Sequence, residues 1–448
     1  MLAAESGREV TAATVDAHPG LRLLARVALG IFALIGVWLA VAPAVVGSKI
    51  VLATAGGSPD WLLGVWRFAG ADVLAGENAG WTYYSVLMCG MAVYALLVAL
   101  APQLSMRALW TAVIGLHVVF FLAPPLLSQD VFSYVAYARL GVEHDLNPYS
   151  HRPFDIPADP VFGYAGSKDA VNVYGPFFTL VTYPLAWLSV PAAFWVLKGV
   201  AAAASLGLIR VVDEIAQRVG VDRRRAIVVL GLCPATLVHV VGGAHNEALV
   251  MLLVFGGISL ALGERERVGG FVSAAALGVK ASALVPLPFM LVATRERWQM
   301  LAGMAAAGVL TVVVGVVAFG GDALNSLNLI SSNQDRTSRY SIPQVTVDGL
   351  GRVFGSLDHG AAIDAVRGVM VLVLGVAVVW LLHRSWRRPE TWLANAGWAT
   401  LGVLIASAWL VPWYLLWLLP FAAVTRCRAL IVASVVFAGY AMAIAIPF

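Results

Sequence analysis

From Leu21 almost to Phe448 the chain alternates long apolar runs with short polar breaks. Many of the runs approach the roughly 20 helical residues that cross about 30 Å of hydrocarbon. Full spans are expected near 22–46, 81–101, 108–127, 191–212, 226–241, 246–262, 298–320, 362–383, 391–409, 411–424 and 429–447, about eleven in all. Two stretches resist a single crossing, because one crossing would invert the side on which later basic clusters fall. In "VYGPFFTLVTYPLAWLSVPAAFWVLKGVAAAASLGLIRVV" the prolines at 176, 184 and 191 each remove a backbone donor, so 174–190 reads as a re-entrant or half helix ahead of the crossing. In the same way 270–293 reads as a hairpin of two half helices. Irregular backbone at membrane depth survives only where it lines a cavity or is buried in protein, which implies a cavity beneath the first break.

Composition turns this pattern into a class. The chain has 448 residues, is 60% hydrophobic and 12% charged, and has a mean hydropathy of +0.84. A soluble globular domain does not have this balance, and no polar stretch is long enough for a separate one. The reading is an all-α polytopic membrane protein, one integral domain over 1–448 with no internal repeat. The first apolar run is taken as a retained helix, being longer than a signal segment. Arginines cluster at 223–225, at 265 and 267, at 384, 387 and 388, and at 426 and 428. That is a positive-inside pattern, so the pI near 9.0 and net charge of +4 record topology more than a nucleic-acid partner. With Arg8, Arg22 and Arg26 ahead of the first span, the N-terminus is expected in the cytoplasm and the loops near 48–80, 128–173 and 321–361 outside. Cys89, Cys233 and Cys427 suggest neither a disulfide framework nor a cysteine metal site.

The second outer loop opens with "SQDVFSYVAYARLGVEHDLNPY", where Asp130 is the first charge after an apolar run. Ser128 to Leu140 reads as a short juxtamembrane helix along the surface, capped by Ser128 and ended by Gly141. At about 100° per residue, Asp130, Tyr134 and Tyr137 share one face. Two readings stay open on these residues alone. Asp130 caps the helix beneath an aromatic belt, or it serves as a general base toward a hydroxyl beside rings that stack on sugar. His144, Asp145 and His151 give only a faint ion-site signal, and no metal or nucleotide motif occurs.

"DVFSYVAYARLGVEHDLNPY", "VYGPFFTLVTYPLA", "HNEALVMLLV" and "VKASALVPLPFMLV" resemble, in this order, the motifs of the GT-C glycosyltransferase superfamily, and within it the bacterial polyprenol-phosphate-mannose-dependent alpha-1,6-mannosyltransferases of lipoglycan synthesis. The resemblance runs from about Asp130 to the C-terminus and, more loosely, over the first three spans. It implies a GT-C-like bundle in the bacterial plasma membrane and an outer-face site with Asp130 as the catalytic carboxylate. It also implies a lipid-phosphate mannose donor, a mannan or glycolipid acceptor, inversion, and in many members no metal or other cofactor. One carboxylate fits this chemistry, because a phosphate diester leaves as a stable anion, whereas a glycosidase generally needs a second group to protonate its leaving alkoxide.

The donor phosphate calls for cationic or hydrogen-bonding groups. Outer-face candidates are Arg139, Arg152, Lys168, His245, Arg336, Arg339 and Arg352, with Asn246 beside His245 and Lys280 between its half helices. His245 and Asn246 equally suit a helix cap, and Lys280 a backbone partner. Lys198 reads more readily as a snorkelling side chain. Tyr134, Tyr137, Asn147, Tyr149, Tyr174, Trp413 and Tyr414 are the candidates for sugar and acceptor, although Trp409, Trp413 and Trp417 also have the spacing of belt anchors. Transport of a lipid-linked sugar is the rival class. It commonly brings internal repeats, and this chain shows none.

Overall fold

The computed structural model describes residues 19–45, 59–66, 79–324, 338–355 and 358–444, and every regular element among them is helical. The first half runs α1 (Pro19–Val41), α2 (Ala79–Leu100), α3 (Met106–Leu122), α4 (Asp130–Glu143), α5 (Pro176–Thr182), α6 (Val190–Arg218), α7 (Arg223–Gly231) and a π-helical segment (Ala235–Gly242). The second runs α8 (Glu247–Leu262), α9 (Glu266–Ala275), α10 (Leu287–Ala293), α11 (Arg297–Phe319), α12 (Ile342–Phe354), α13 (His359–Arg387), α14 (Trp392–Ala406), α15 (Leu415–Ala423) and α16 (Arg428–Ala443).

Five segments among the described residues are long and apolar enough to cross a bilayer: Pro19–Ala44, Gly80–Gln103, Val190–Arg218, Arg297–Leu324 and His359–Arg387. A sixth results if α7 and the π-helical segment, bent by 52°, count as one. These lengths do not give the eleven full spans expected. Prolines account for two of the shortfalls, and α3, α8, α14 and α16 are apolar helices of only 15–17 residues. Pro234 breaks the run at 226–241, and Pro412 opens a 3-10 turn, Pro412–Tyr414, ahead of the nine-residue α15. An apolar run is thus shared between a helix and the break beside it. Along α13 the side chains of Val369, Leu372, Val373, Val376 and Val379 are 61–69% exposed, a contiguous apolar face that suits lipid and not water. The chain is a helical membrane protein.

Small residues let the helices approach. A Cβ on Gly303 would lie 1.9 Å from the Arg267 carbonyl oxygen, and one on Gly257 2.0 Å from Ser273 Oγ, so α11 and α8 both lie close against α9. Cationic side chains tie one end of the bundle. Arg223 grips Asp213 through two nitrogens at 2.6 and 2.8 Å, Arg218 donates to the Ser259 carbonyl at 2.6 Å, and Arg426 donates to the Val219 and Gly220 carbonyls at 3.1 Å. The 223–225 and 426–428 clusters therefore share an end.

The opening segment differs from its sequence reading in three ways. α4 is buried along nearly its whole length instead of lying on the surface, with Phe132 stacked on Phe194 at 5.6 Å. Ser128 is not the N-cap, although its Oγ accepts from the Asp130 N–H at 3.2 Å. Gly141 does not end the helix but makes room for Tyr183: a Cβ there would lie 2.1 Å from the phenol oxygen. The helix ends where Asp145 turns left-handed (φ 52°) and the Leu146 N–H donates to the Leu140 carbonyl at 2.9 Å.

Candidate active site

Asp130 occupies the first turn of α4, where the helix dipole favours an anion. The strand of chain before it is hooked to the π-helical segment, since the Leu126 N–H donates to the Gly242 carbonyl at 3.2 Å. Beyond Gly242 the chain turns sharply through Ala244 at φ 57°, and His245 emerges toward Asp130. A left-handed non-glycine residue is strained by about 1–3 kcal/mol, and here it aims an imidazole at a carboxylate: His245 Nδ1 lies 3.6 Å from Asp130 Oδ2. Trp413 stacks on that ring at 3.9 Å, with planes inclined by 20°.

A second convergence brings Lys280 to the same place. Gly175 lies so close to the break after α9 that a Cβ on it would stand 2.3 Å from the Gly278 carbonyl carbon, and its N–H donates to the Val279 carbonyl at 2.9 Å. Tyr174 is thereby set beside Lys280, whose ammonium lies 5.5 Å from the Tyr174 ring centre and 5.3 Å from that of Tyr414. Lys280 Nζ donates to Oε1 of the fully buried Glu247.

Beside this cluster is a cavity of about 1180 Å³, onto which Asp130, Tyr137, Tyr174, Lys280, Trp413 and Tyr414 open. The Asp130 side chain is 31% exposed there. Burial of most of its surroundings raises its pKa to about 6, with Lys280 opposing the rise and Glu247 adding to it. His245 is held well below its ordinary value, by burial first and then by Lys280 and His239, so at neutral pH it is an uncharged ring.

The cavity has two kinds of wall. Arg152, Asp155, Ser167 and Asp169 of the loop 148–173 are polar and lie toward solvent. The rest is apolar: Leu284 and the buried Phe289, with Val371, Leu374 and Val378 of α13. Arg367 opens on the same cavity one turn before Val371, on the same face of α13.

Other candidates lie elsewhere. Arg139 does not border the cavity: its Nε donates to Asp159 at 2.9 and 3.0 Å and its Nη1 to the Ala186 carbonyl at 2.7 Å. Burial alone would raise Asp159, but Arg139, His144 and the Val161 N–H outweigh it and hold the carboxyl below its usual range. His144 is thus committed to Asp159 and not grouped with His151. Asn147 donates to the Phe319 carbonyl at 2.7 Å, and the Tyr149 hydroxyl donates to the Tyr174 carbonyl at 2.8 Å, so both pin the loop to the bundle away from the cavity. Tyr134 is buried edge-on against Tyr174 and Phe178. Asn246 is buried and caps nothing with its side chain. Arg339 lies over the Tyr340 ring at 5.4 Å, and Lys168 over Phe162 at 4.5 Å, and Arg352 is exposed on α12; none of the three borders the cavity. Arg336 falls outside the described residues. Lys198 donates to the Ala123 and Pro124 carbonyls, a structural role. Glu247 and Arg367 were missed by sequence reasoning. The acidic residue of "HNE" was the available signal for the first, and no motif marks the second.

A family described as alpha-(1->6)-mannopyranosyltransferase, N-terminal domain, matches residues 45–296, and one described as MptB C-terminal domain matches residues 344–447. The chain is 25% identical over 410 residues to alpha-(1->6)-mannopyranosyltransferase A of Mycobacterium tuberculosis, covering 86% of this chain and 73% of that protein. To the protein of the same name from Corynebacterium glutamicum it is 26% identical over 342 residues, 69% of this chain and 68% of that one. Alpha-(1->6)-mannopyranosyltransferase B of Corynebacterium glutamicum is 26% identical over 346 residues, 66% of this chain and 55% of that one. No solved structure matches the chain.

Proposed function

Since the chain belongs to the alpha-(1->6)-mannopyranosyltransferase family and is a membrane mannosyltransferase of GT-C type, we propose that its donor is polyprenyl-phosphate-mannose and its acceptor a hydroxyl of a mannan or glycolipid on the outer face of the bacterial plasma membrane. The observation that carries this reading is the mixed lining of the cavity beside Asp130, which joins polar residues of the loop 148–173 to apolar residues of α10, α13 and α14 and includes Lys280 and Arg367. A soluble nucleotide sugar has no use for the apolar wall. A prenyl chain does, at about 25 cal/mol per Å² of surface removed from water.

In this reading the prenyl chain lies against α10, α13 and α14, and its phosphate meets Lys280 and Arg367. Mannose bridges to Asp130, with Tyr137, Tyr174, Trp413 and Tyr414 as apolar and hydrogen-bonding surfaces for sugar. Ionised Asp130 takes the proton from the acceptor hydroxyl as that oxygen attacks the anomeric carbon, and the prenyl phosphate departs opposite with the bonding electron pair. The leaving phosphate is a stable anion, so no second carboxyl group is required to protonate it. Backside displacement at a beta-linked donor yields an alpha product, and an acceptor C6 hydroxyl makes the linkage alpha-1,6. The cationic side chains supply the charge that a divalent metal supplies elsewhere, so a chelator is expected to leave the rate unchanged.

The test is transfer by purified enzyme in lipid nanodiscs to an oligomannoside, with radiolabelled mannose offered either on polyprenyl phosphate or on a nucleoside diphosphate. Label is expected in product from the lipid donor alone, in an alpha-1,6 linkage. Equal transfer from the nucleotide donor would overturn the donor assignment.

A further inference from the structure

Glu247 begins α8, is fully buried and does not border the cavity. Its Oε1 accepts from Lys280 Nζ, while Oε2 has no hydrogen-bond partner and lies 3.8 Å from His245 Nδ1. The same Nδ1 stands 3.6 Å from Asp130 Oδ2. Two carboxylates therefore flank one imidazole stacked on Trp413, and the charge of one ammonium acts on both. That ammonium is bound to the buried carboxylate and not to the one that opens on the cavity.

We propose that Glu247 is a positioning residue: by binding the Lys280 ammonium it keeps that cation from closing on Asp130, and so leaves the Asp130 carboxylate free to accept the proton of the acceptor hydroxyl. The proposal rests on the reading of Asp130 as the base. A partly buried ammonium needs a counter-charge, and with Glu247 neutralised Asp130 is the remaining carboxylate around it. The other titratable groups that face this cluster are Tyr134 from α4, Tyr174 from the loop before α5, Tyr414 from the turn before α15, His245, and His239 from the π-helical segment near Trp413. Burial raises Tyr134, Tyr174 and Tyr414, so none of the tyrosines is anionic at neutral pH, and it lowers His245. A direct Lys280 partnership would stabilise ionised Asp130 and make it a weaker base.

The experiment is a titration of Asp130 by difference infrared spectroscopy on the full chain in nanodiscs, with the carboxyl band assigned by its loss in Asp130→Asn, alongside the pH dependence of kcat. In the parent protein the band is expected to titrate near pH 6. In Glu247→Gln it is expected to move down by roughly one pH unit, with kcat reduced several-fold. In the double variant Glu247→Gln, Lys280→Gln, which leaves neither partner of the ion pair charged, the band is expected to return to its parent position or above. An unmoved band in Glu247→Gln, or a shift that the double variant does not reverse, would overturn the proposal. Activity surviving in Asp130→Asn would remove the base itself and this role with it. An inactive Asp130→Asn beside an unmoved Glu247→Gln band would remove only the role of Glu247.

Discussion

As the proposed base, Asp130 meets conflicting demands: it must be ionised at working pH yet retain enough proton affinity to take one from an alcohol. Burial supplies the affinity and an opening on the cavity supplies the access. Because the carboxyl group is raised to about 6 and must be ionised to act, log kcat/KM is expected to fall as pH drops through about 6 and to level off above it. A profile flat down to pH 4 would contradict this. Arg139 shows how differently a nearby cation can serve. With its nitrogens on Asp159 and Ala186, Arg139→Gln is expected to cost roughly 3 kcal/mol of stability, read as a lower thermal midpoint, with donor KM unchanged in the folded fraction. In the sequence Asp130 stands out as a carboxylate at the end of an apolar run. The role of Arg139 was not legible there, since its partner lies twenty residues downstream in a proline-rich loop. The same holds for Asn147 and Tyr149, whose partners at Phe319 and Tyr174 come from other elements.

At the level of elements, the site is assembled where helices stop. α4 starts at Asp130, the π-helical segment gives way to His245, α9 breaks ahead of Lys280, and α15 is preceded by Trp413 and Tyr414. Prolines made the interruption at 174–190 readable, because a missing donor cannot be hidden by hydrophobicity, and the side on which later basic clusters fall made that at 270–293 readable. The bend at Pro234 and the burial of α4 were not readable, since both depend on what packs alongside. Gly175 joins two of these breaks. In Gly175→Ala the new methyl meets backbone and not a movable side chain, so the variant is expected to lose about 1–3 kcal/mol of stability. It is also expected to lose kcat more than donor affinity, as Tyr174 and Lys280 are displaced together. Thermal unfolding and steady-state kinetics on the same preparation measure both effects.

Across the whole molecule, the cavity is lined by apolar residues of α10, α13 and α14 and by polar residues of the loop 148–173, and the proposed reaction joins lipid to sugar between them. Leu374 lies on the apolar wall. Leu374→Trp is expected to raise KM about tenfold, or about 1.4 kcal/mol, for a long-chain prenyl donor, and to leave KM for a single-isoprene analogue unchanged. Equal effects on both donors would place the chain elsewhere. Whether Asp130 is the base of the transfer is decided by single-turnover mannose transfer in Asp130→Asn, with folding verified by an unchanged thermal midpoint. Complete loss of product is expected, while turnover near the parent rate would contradict the account.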